Sequence, residues 1–360
     1  MKIGILTFHW ATNYGAVLQA FALQTYLLTQ GHDCKIIDYV PCNYKKTLFR
    51  CFLTRFPLNI FRNLLDYNKE SRMDRFRQSH LRLTRNYGSL AELQKDPPDC
   101  DVYVCGSDQI WNPSFTRRGE GKVTLSYFLD FGGEQKRRLA YAASFGCTSY
   151  PADLIDIIKA PLQRFKALGV RENTGLAILD KIGISDTSLV PDPTMLLRLE
   201  DYKGLLPKSE TTAVDSVFVY ALHSGQKTIQ EIRCHLEERN KQTIQYTGFN
   251  SHSSLSVEEW LAAIARSKAV VTNSFHGVIF SILFEKPFVA VSVEGHGSGM
   301  NDRINTLLGN LGLEERIVIT YDDERLVNLL YKPIDWRTVG IRLNSIRDVA
   351  SRFFERYLDA

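Results

Sequence analysis

His276 lies in the segment Thr272-Asn-Ser-Phe-His-Gly277, where residue types and spacing together suit anion chemistry. Ala269 to Thr272 is a short run of apolar and β-branched residues, the pattern of a buried strand. Asn273 and Ser274 have short side chains that accept hydrogen bonds from the first free N–H groups of a helix. His276 and Gly277 then fall in the first helical turn. Val278 to Phe284 is apolar nearly all round, which predicts a buried helix. Lys286-Pro287 stops it, and Phe288 to Ser292 reads as the next strand. The unit is βαβ, with a histidine at a helix N-terminus on the carboxyl end of a strand. Open α/β sheets bind ligands at that position, and the N–H groups and dipole of a helix N-terminus favour an anion.

The same strand–loop–helix rhythm runs through the chain and sets where other polar groups must sit. Lys2 to Phe8 is a strand, His9 to Gly15 a loop, Ala16 to Thr29 a helix closed by Gly31, and Cys34 to Tyr39 a second strand. Asp101 to Cys105 is a strand running into Gly106-Ser-Asp-Gln-Ile-Trp-Asn-Pro113, and Leu139 to Phe145 is another. Leu168 to Val170 leads into Arg171-Glu172, with a short helix at Leu176 to Ile182. Lys208 to Asp215 is a polar linker, after which Ser216 to Leu222 opens a second α/β series. Trp336 to Leu358 is a long helix with apolar positions at Val339, Leu343, Ile346, Ala350, Phe353 and Phe354, and the pattern leaves open whether it crosses back to the first domain. The predicted fold is α/β, with a Rossmann-like domain over residues 1–205, a second over 206–335 and a C-terminal helix over 336–360.

Residues 41–94 form a basic excursion within the first domain, with Lys45, Lys46, Arg50, Arg55, Arg62, Arg72, Arg75, Arg77, Arg82 and Arg85, and an amphipathic stretch from Leu53 to Leu65. Two readings are open: solvated helices covering one side of the sheet, or a basic lip meeting a lipid-linked molecule at a membrane. The whole chain carries only +4 over 360 residues, which does not indicate nucleic acid but suits an anionic substrate. The seven cysteines are scattered with no C-x-x-C pair, so no metal site is predicted and reduced thiols in a cytoplasm are expected. The N-terminus reads as a strand rather than a signal peptide, and no apolar run reaches the length of a membrane span.

Five pieces together resemble the polysaccharide pyruvyl transferase family. They are HWATNYGAVLQAFALQ (His9 to Gln24), VYVCGSDQIWNP (Val102 to Pro113), LGVRENTG (Leu168 to Gly175), VPDPT (Val190 to Thr194) and TNSFHGVIFSILFEKPFVA (Thr272 to Ala290). The resemblance covers nearly the full length and is weakest from Pro41 to Gln94. It implies the glycosyltransferase-B architecture, two Rossmann-like domains facing across a cleft. It also implies transfer of the enolpyruvyl part of phosphoenolpyruvate to two sugar hydroxyls, with a pyruvate ketal formed and phosphate released. No cofactor is implied. The implied partners are phosphoenolpyruvate and a sugar or lipid-linked oligosaccharide. A peripheral contact with the inner face of the membrane and an oligomer are both compatible with the sequence.

That chemistry assigns roles. Phosphoenolpyruvate carries a phosphate and a carboxylate, so its site needs cations and N–H donors; an acid protonates the enol carbon and a base takes the hydroxyl proton. His276 is implied to contact phosphoenolpyruvate, against the alternative of a capped core histidine, with Ser274 beside it and the small Gly277 permitting close approach. Many relatives carry an arginine where Ser274 stands, so a cation must come from elsewhere. Arg171 is the leading candidate, against the alternative of an interdomain salt bridge, with Glu172 to orient it or serve as the acid, and Arg303 is a second. Gly295, Gly297 and Gly299 allow a mobile loop or a plain surface one. In the first domain, Asn13, Tyr14 and Gly15 are expected close to the acceptor, with Ser107, Asp108 and Gln109 on a second loop. Asp108 is a candidate base against the alternative of a turn cap. Trp111 is a candidate for stacking on a sugar against the alternative of packing, and Asp192 reads as structural.

The expectation is thus a cytoplasmic pyruvyl transferase of cell-surface polysaccharide biosynthesis. Its rivals are a sugar-nucleotide glycosyltransferase of the same architecture and a non-catalytic subunit of the same pathway.

Overall fold

The computed structural model describes residues 1–41, 57–117, 122–208, 216–222, 226–239, 243–248, 255–294 and 301–358, of which 57–66, 238–239 and 243–248 are described as backbone only. The chain divides into two compact units: Met1–Lys46 with Arg75–Leu197 and Asn344–Ala360, and Thr47–Asp74 with Arg198–Leu343.

The first unit is built on a parallel sheet of β1 (Lys2–Leu6), β2 (Asp33–Tyr39), β3 (Leu83–Tyr87), β4 (Val102–Gly106), β5 (Arg137–Ala143), β6 (Ala167–Val170) and β7 (Thr187–Leu189), in the order β3-β2-β1-β4-β5-β6-β7. Every residue of β4 is buried, as expected of a parallel strand covered on both faces. Hydrophobic clusters lie on either side of the sheet, one around Trp111, Phe128 and Phe145, the other around Ile3, Ile5 and Leu23. The helix Tyr14–Thr29 links β1 to β2. It begins two residues before the expected Ala16, because Asn13 caps it by accepting from the Ala16 N–H at 3.2 Å. Strands β2 and β3 lie on one side of β1, and β4 to β7 on the other. The crevice at the carboxyl ends of β1 and β4 is therefore the point where the strand order reverses.

The basic excursion contains β3 as well as the helices its pattern suggests. The excursion is a helix, Pro57–His80, followed by this edge strand, which pairs parallel with β2. The helix itself divides, since its residues 57–74 belong to the second unit and those from Arg75 to the first. Residues 42–56, with Lys45, Lys46, Arg50 and Arg55 and the start of the amphipathic stretch, lie outside the described residues. The C-terminal helix Trp336–Tyr357 packs its last turns into the first core. Phe354 meets Tyr141 at 4.5 Å and Tyr26 at 5.4 Å between ring centroids, and Arg347 donates to the carbonyls of Met195 and Leu197.

The second unit carries β8 (Ser216–Ala221), β9 (Thr243–Gly248), β10 (Ala269–Thr272), β11 (Phe288–Val291) and β12 (Ile317–Val318), all parallel, in the order β12-β11-β10-β8-β9. Its strand order reverses between β8 and β10. The helix Phe275–Leu283, every residue of it buried, connects β10 to β11.

Candidate functional site

In the first unit the polar groups gather on the loops after β4, β5 and β6. Arg171, the residue after β6, has a wholly buried side chain. Its guanidinium donates to Asp192 Oδ2 at 2.7 Å, to Ser107 Oγ at 3.1 Å and to Asp108 Oδ1 at 3.4 Å, and its Nε lies 3.8 Å from Glu172 Oε2. Burial by itself lowers the affinity of a guanidinium for its proton. The carboxylates of Asp192, Asp108 and Glu172 outweigh that, and the Arg171 pKa is raised. Asp192 is fixed in turn by the N–H and hydroxyl of Thr194, at 3.0 and 2.7 Å, and by the Ser107 hydroxyl at 2.8 Å.

Of the two readings of Arg171, the structure draws the ion pair, here with carboxylates of its own unit. Glu172 is 1 % exposed on its side chain, and its Oε1 accepts from the Phe145 N–H at 2.9 Å and the Gly146 N–H at 3.5 Å, so it braces the loop after β5. Of the three carboxylates around Arg171, Asp108 is the one that reaches solvent, with 16 % of its side chain exposed. Asp108 takes a left-handed backbone (φ 68°), which Asp tolerates better than most residues. Its carbonyl accepts from the Ser144 N–H, which ties the β4 and β5 loops together.

Gln109 is part of the scaffold, its Oε1 accepting from Asn112 Nδ2 at 2.7 Å. Trp111 is not available to a sugar. It is wholly buried, donates from its indole N–H to the Tyr127 carbonyl at 3.0 Å, and stacks on Phe128 at 5.6 Å. Tyr14 and Gly15 are buried inside the first helix, and Asn13 is its cap.

The loop after β1 holds residues the sequence reading passed over. His9, 1 % exposed, sets Nε2 against Asp38 Oδ1 at 3.1 Å and Nδ1 against the Thr7 carbonyl at 3.3 Å. Arg77, also buried, donates to the carbonyls of His9, Trp10 and Ala11, each at 2.8 Å. The motif His9-Trp10 directly after a strand was the available signal. Its clamp, more than sixty residues downstream, had none.

In the second unit Ser274 caps the helix Phe275–Leu283, accepting from the Gly277 N–H at 3.3 Å. Asn273 accepts from the Leu222 N–H at 2.8 Å, joining the ends of β8 and β10 where the strand order reverses. His276 sits in the first turn at this point, 6 % exposed, its ring 5.3 Å from that of Phe275. On the other contact of Phe275, the Arg303 guanidinium lies 5.5 Å from the ring centroid, within cation–π range. The helix bearing Arg303, Asn301–Leu311, is docked by two hydrogen bonds between the Asn301 side chain and the Val293 backbone, at 2.8 and 2.9 Å. Phe275 thus has two neighbours, the His276 ring and the Arg303 guanidinium. Gly277 serves packing, because a Cβ there would lie 2.5 Å from Thr272 Oγ1. Gly295, Gly297 and Gly299 lie outside the described residues.

Among solved structures the chain is similar to the UDP-GlcNAc 2-epimerase of Methanocaldococcus jannaschii, at 12% identity and TM-score 0.52, over 98% of this chain and 100% of that one. It is likewise similar to a protein assigned as UDP-N-acetylglucosamine 2-epimerase from Listeria monocytogenes, at 10% identity and TM-score 0.52, over 100% and 97%. At such identities the likeness is one of fold, glycosyltransferase-B-like, which is the class expected. The search of curated proteins finds no match. The model of the family described as polysaccharide pyruvyl transferase matches residues 13–295, well over half of the chain and reaching into both units. The chain therefore belongs to the polysaccharide pyruvyl transferase family.

Proposed function

We propose that the protein transfers the enolpyruvyl group of phosphoenolpyruvate to a hydroxyl pair of a sugar, forming a pyruvate ketal in the synthesis of a cell-surface polysaccharide. The observation that carries this reading is the position of His276: in the first turn of a helix, at the strand-order reversal of the second sheet, with Arg303 on the same Phe275 ring. An anion with several oxygens can take helix N–H groups, an imidazole and a guanidinium there. Arg303 supplies the cation that the position of Ser274 lacks.

Protonation of the terminal methylene of phosphoenolpyruvate makes the neighbouring carbon electrophilic. One sugar hydroxyl adds to that carbon as a base takes its proton. The second hydroxyl then displaces phosphate, and its proton leaves with the products, so that diol and phosphoenolpyruvate become ketal and phosphate. Asp108 is the base in this reading: it is the solvent-reaching carboxylate of its cluster, and Arg171 holds it in place. A lipid-linked acceptor would bring the protein to a membrane surface; no helix among the described residues is long and apolar enough to cross one.

The fold likeness to UDP-GlcNAc 2-epimerases would also suit a nucleotide-sugar substrate, but one fold hosts many chemistries. The family match favours pyruvyl transfer. The test is mass spectrometry of oligosaccharide acceptors incubated with protein and phosphoenolpyruvate. A product carrying one pyruvate ketal, with phosphate released in equal amount, supports the reading. A panel of acceptors left unmodified speaks against it.

A further inference from the structure

We infer that Trp10 and Phe115 form a saccharide-stacking subsite at the strand-order reversal of the first sheet, taking a pyranose ring of the acceptor. The inference rests on the pyruvyl-transfer reading for the identity of its ligand as an acceptor, but its geometry stands alone. Trp10 lies on the loop after β1, and Phe115 on the short helix Pro113–Thr116 after β4. These adjacent strands diverge in connection, so their carboxyl ends border the crevice where ligands of such sheets bind. Both rings pack on one buried ring, that of Phe8, at centroid distances of 5.8 Å for Trp10 and 5.9 Å for Phe115. Phe115 is 46 % exposed and Trp10 half-buried, so neither residue is sealed from solvent.

Trp10 is held with more care than a half-buried surface ring requires. Its indole N–H donates to the Tyr127 hydroxyl at 3.1 Å, and Tyr127 itself packs on Phe8 at 4.8 Å. Its backbone carbonyl and those of its two neighbours are fixed by the buried Arg77 guanidinium. The preceding His9 ring is locked between Asp38 and the Thr7 carbonyl. A ring fixed in advance loses little freedom when a ligand arrives, which is how affinity is gained without new contacts. The C–H groups on a pyranose face are weakly positive and the faces of aromatic rings weakly negative, so a sugar is the polar ligand such rings suit. Asp108, partly open to solvent, lies in the segment between β4 and the short helix that carries Phe115.

The experiment is binding of the full chain, without phosphoenolpyruvate, to an immobilised panel of defined oligosaccharides bearing free 4,6- or 3,4-diols. Phosphoenolpyruvate titrations of the same proteins run alongside. Wild type is expected to bind at least one panel member. Phe115→Ala and Trp10→Ala should each weaken that binding about tenfold or more, while Phe115→Tyr and Trp10→Phe keep it within about threefold and phosphoenolpyruvate binding is unchanged in all four. Phe115→Ala is the variant least exposed to misfolding, since that ring is the most open. Alanine variants that bind the saccharide as wild type does would overturn the subsite, as would a wild type that binds no panel member. Saccharide binding lost in the alanine variants of a protein that ignores phosphoenolpyruvate would uphold the subsite and sink the pyruvyl-transfer reading instead.

Discussion

Arg171 donates to Asp192 at 2.7 Å with both side chains wholly shut off from solvent. The pair links β6 to the turn after β7, and Ser107 and Asp108 bring in the loop after β4. A guanidinium so placed organises the ends of the strands.

Arg171→Ala should therefore act on stability first. Removing one partner of a buried ion pair leaves carboxylates in the interior without compensation, at a cost of about 3–5 kcal/mol. Urea unfolding of the variant checks this. Arg171→Lys should recover only part of the loss, because an ammonium cannot present the planar fork that reaches Asp192, Ser107 and Asp108.

Asp108→Asn should leave the fold intact, since asparagine also tolerates the left-handed backbone found there. Turnover in the ketal-forming assay should fall roughly a hundred- to ten-thousand-fold, the usual range for a lost general base. Equal turnover would return Asp108 to the role of a turn residue.

Gly277→Ala should destabilise the protein by about 1–3 kcal/mol through the clash with Thr272, read as a fall in Tm. An unchanged Tm with weakened phosphoenolpyruvate binding would mean that Gly277 makes room for ligand instead of for the strand.

Burial, followed by the charge of Glu172, pushes the Cys147 thiol up to about 11. At pH 8 only about one thiol in a thousand is then ionised, and alkylation at Cys147 should rise about tenfold per pH unit up to pH 10. A neighbouring negative charge disfavours the thiolate, so Glu172→Gln, which keeps an oxygen for the Phe145 N–H, should speed labelling. Peptide mapping after timed alkylation measures both; no change in rate would mean that burial alone holds the thiol protonated.

The parts of the fold set by local pattern were legible in the sequence. The unit around His276 reads directly from a β-branched run, a serine cap and an apolar helix, and it lies where that pattern puts it. β3 was not legible, because an edge strand such as Leu-Thr-Arg-Asn-Tyr need bury only one end and its charges resemble those of the helix before it. The fate of Arg171 was hidden for a different reason. Its partners Asp108 and Asp192 come from separate loops, 63 and 21 residues away, and a lone arginine at a strand end looks the same whether it faces ligand or carboxylates. Trp111 shows the same ambiguity, settled by a stacking partner, Phe128, that no local pattern announces.

Arg303→Ala should raise the phosphoenolpyruvate concentration needed for half-maximal rate about ten- to a hundredfold, the worth of a hydrogen bond to a charged group, with the acceptor dependence unchanged. Steady-state kinetics with each substrate varied in turn separates the two. An effect confined to the acceptor would remove Arg303 from the donor site.

The most direct measurement is calorimetric titration of wild type and His276→Ala with phosphoenolpyruvate, and with UDP-GlcNAc as the competing donor class. Wild type should bind phosphoenolpyruvate, His276→Ala should lose that binding while melting as a folded protein, and UDP-GlcNAc should bind neither. Phosphoenolpyruvate binding that survives unchanged in His276→Ala, or a wild type that binds UDP-GlcNAc and not phosphoenolpyruvate, would contradict the proposed donor site.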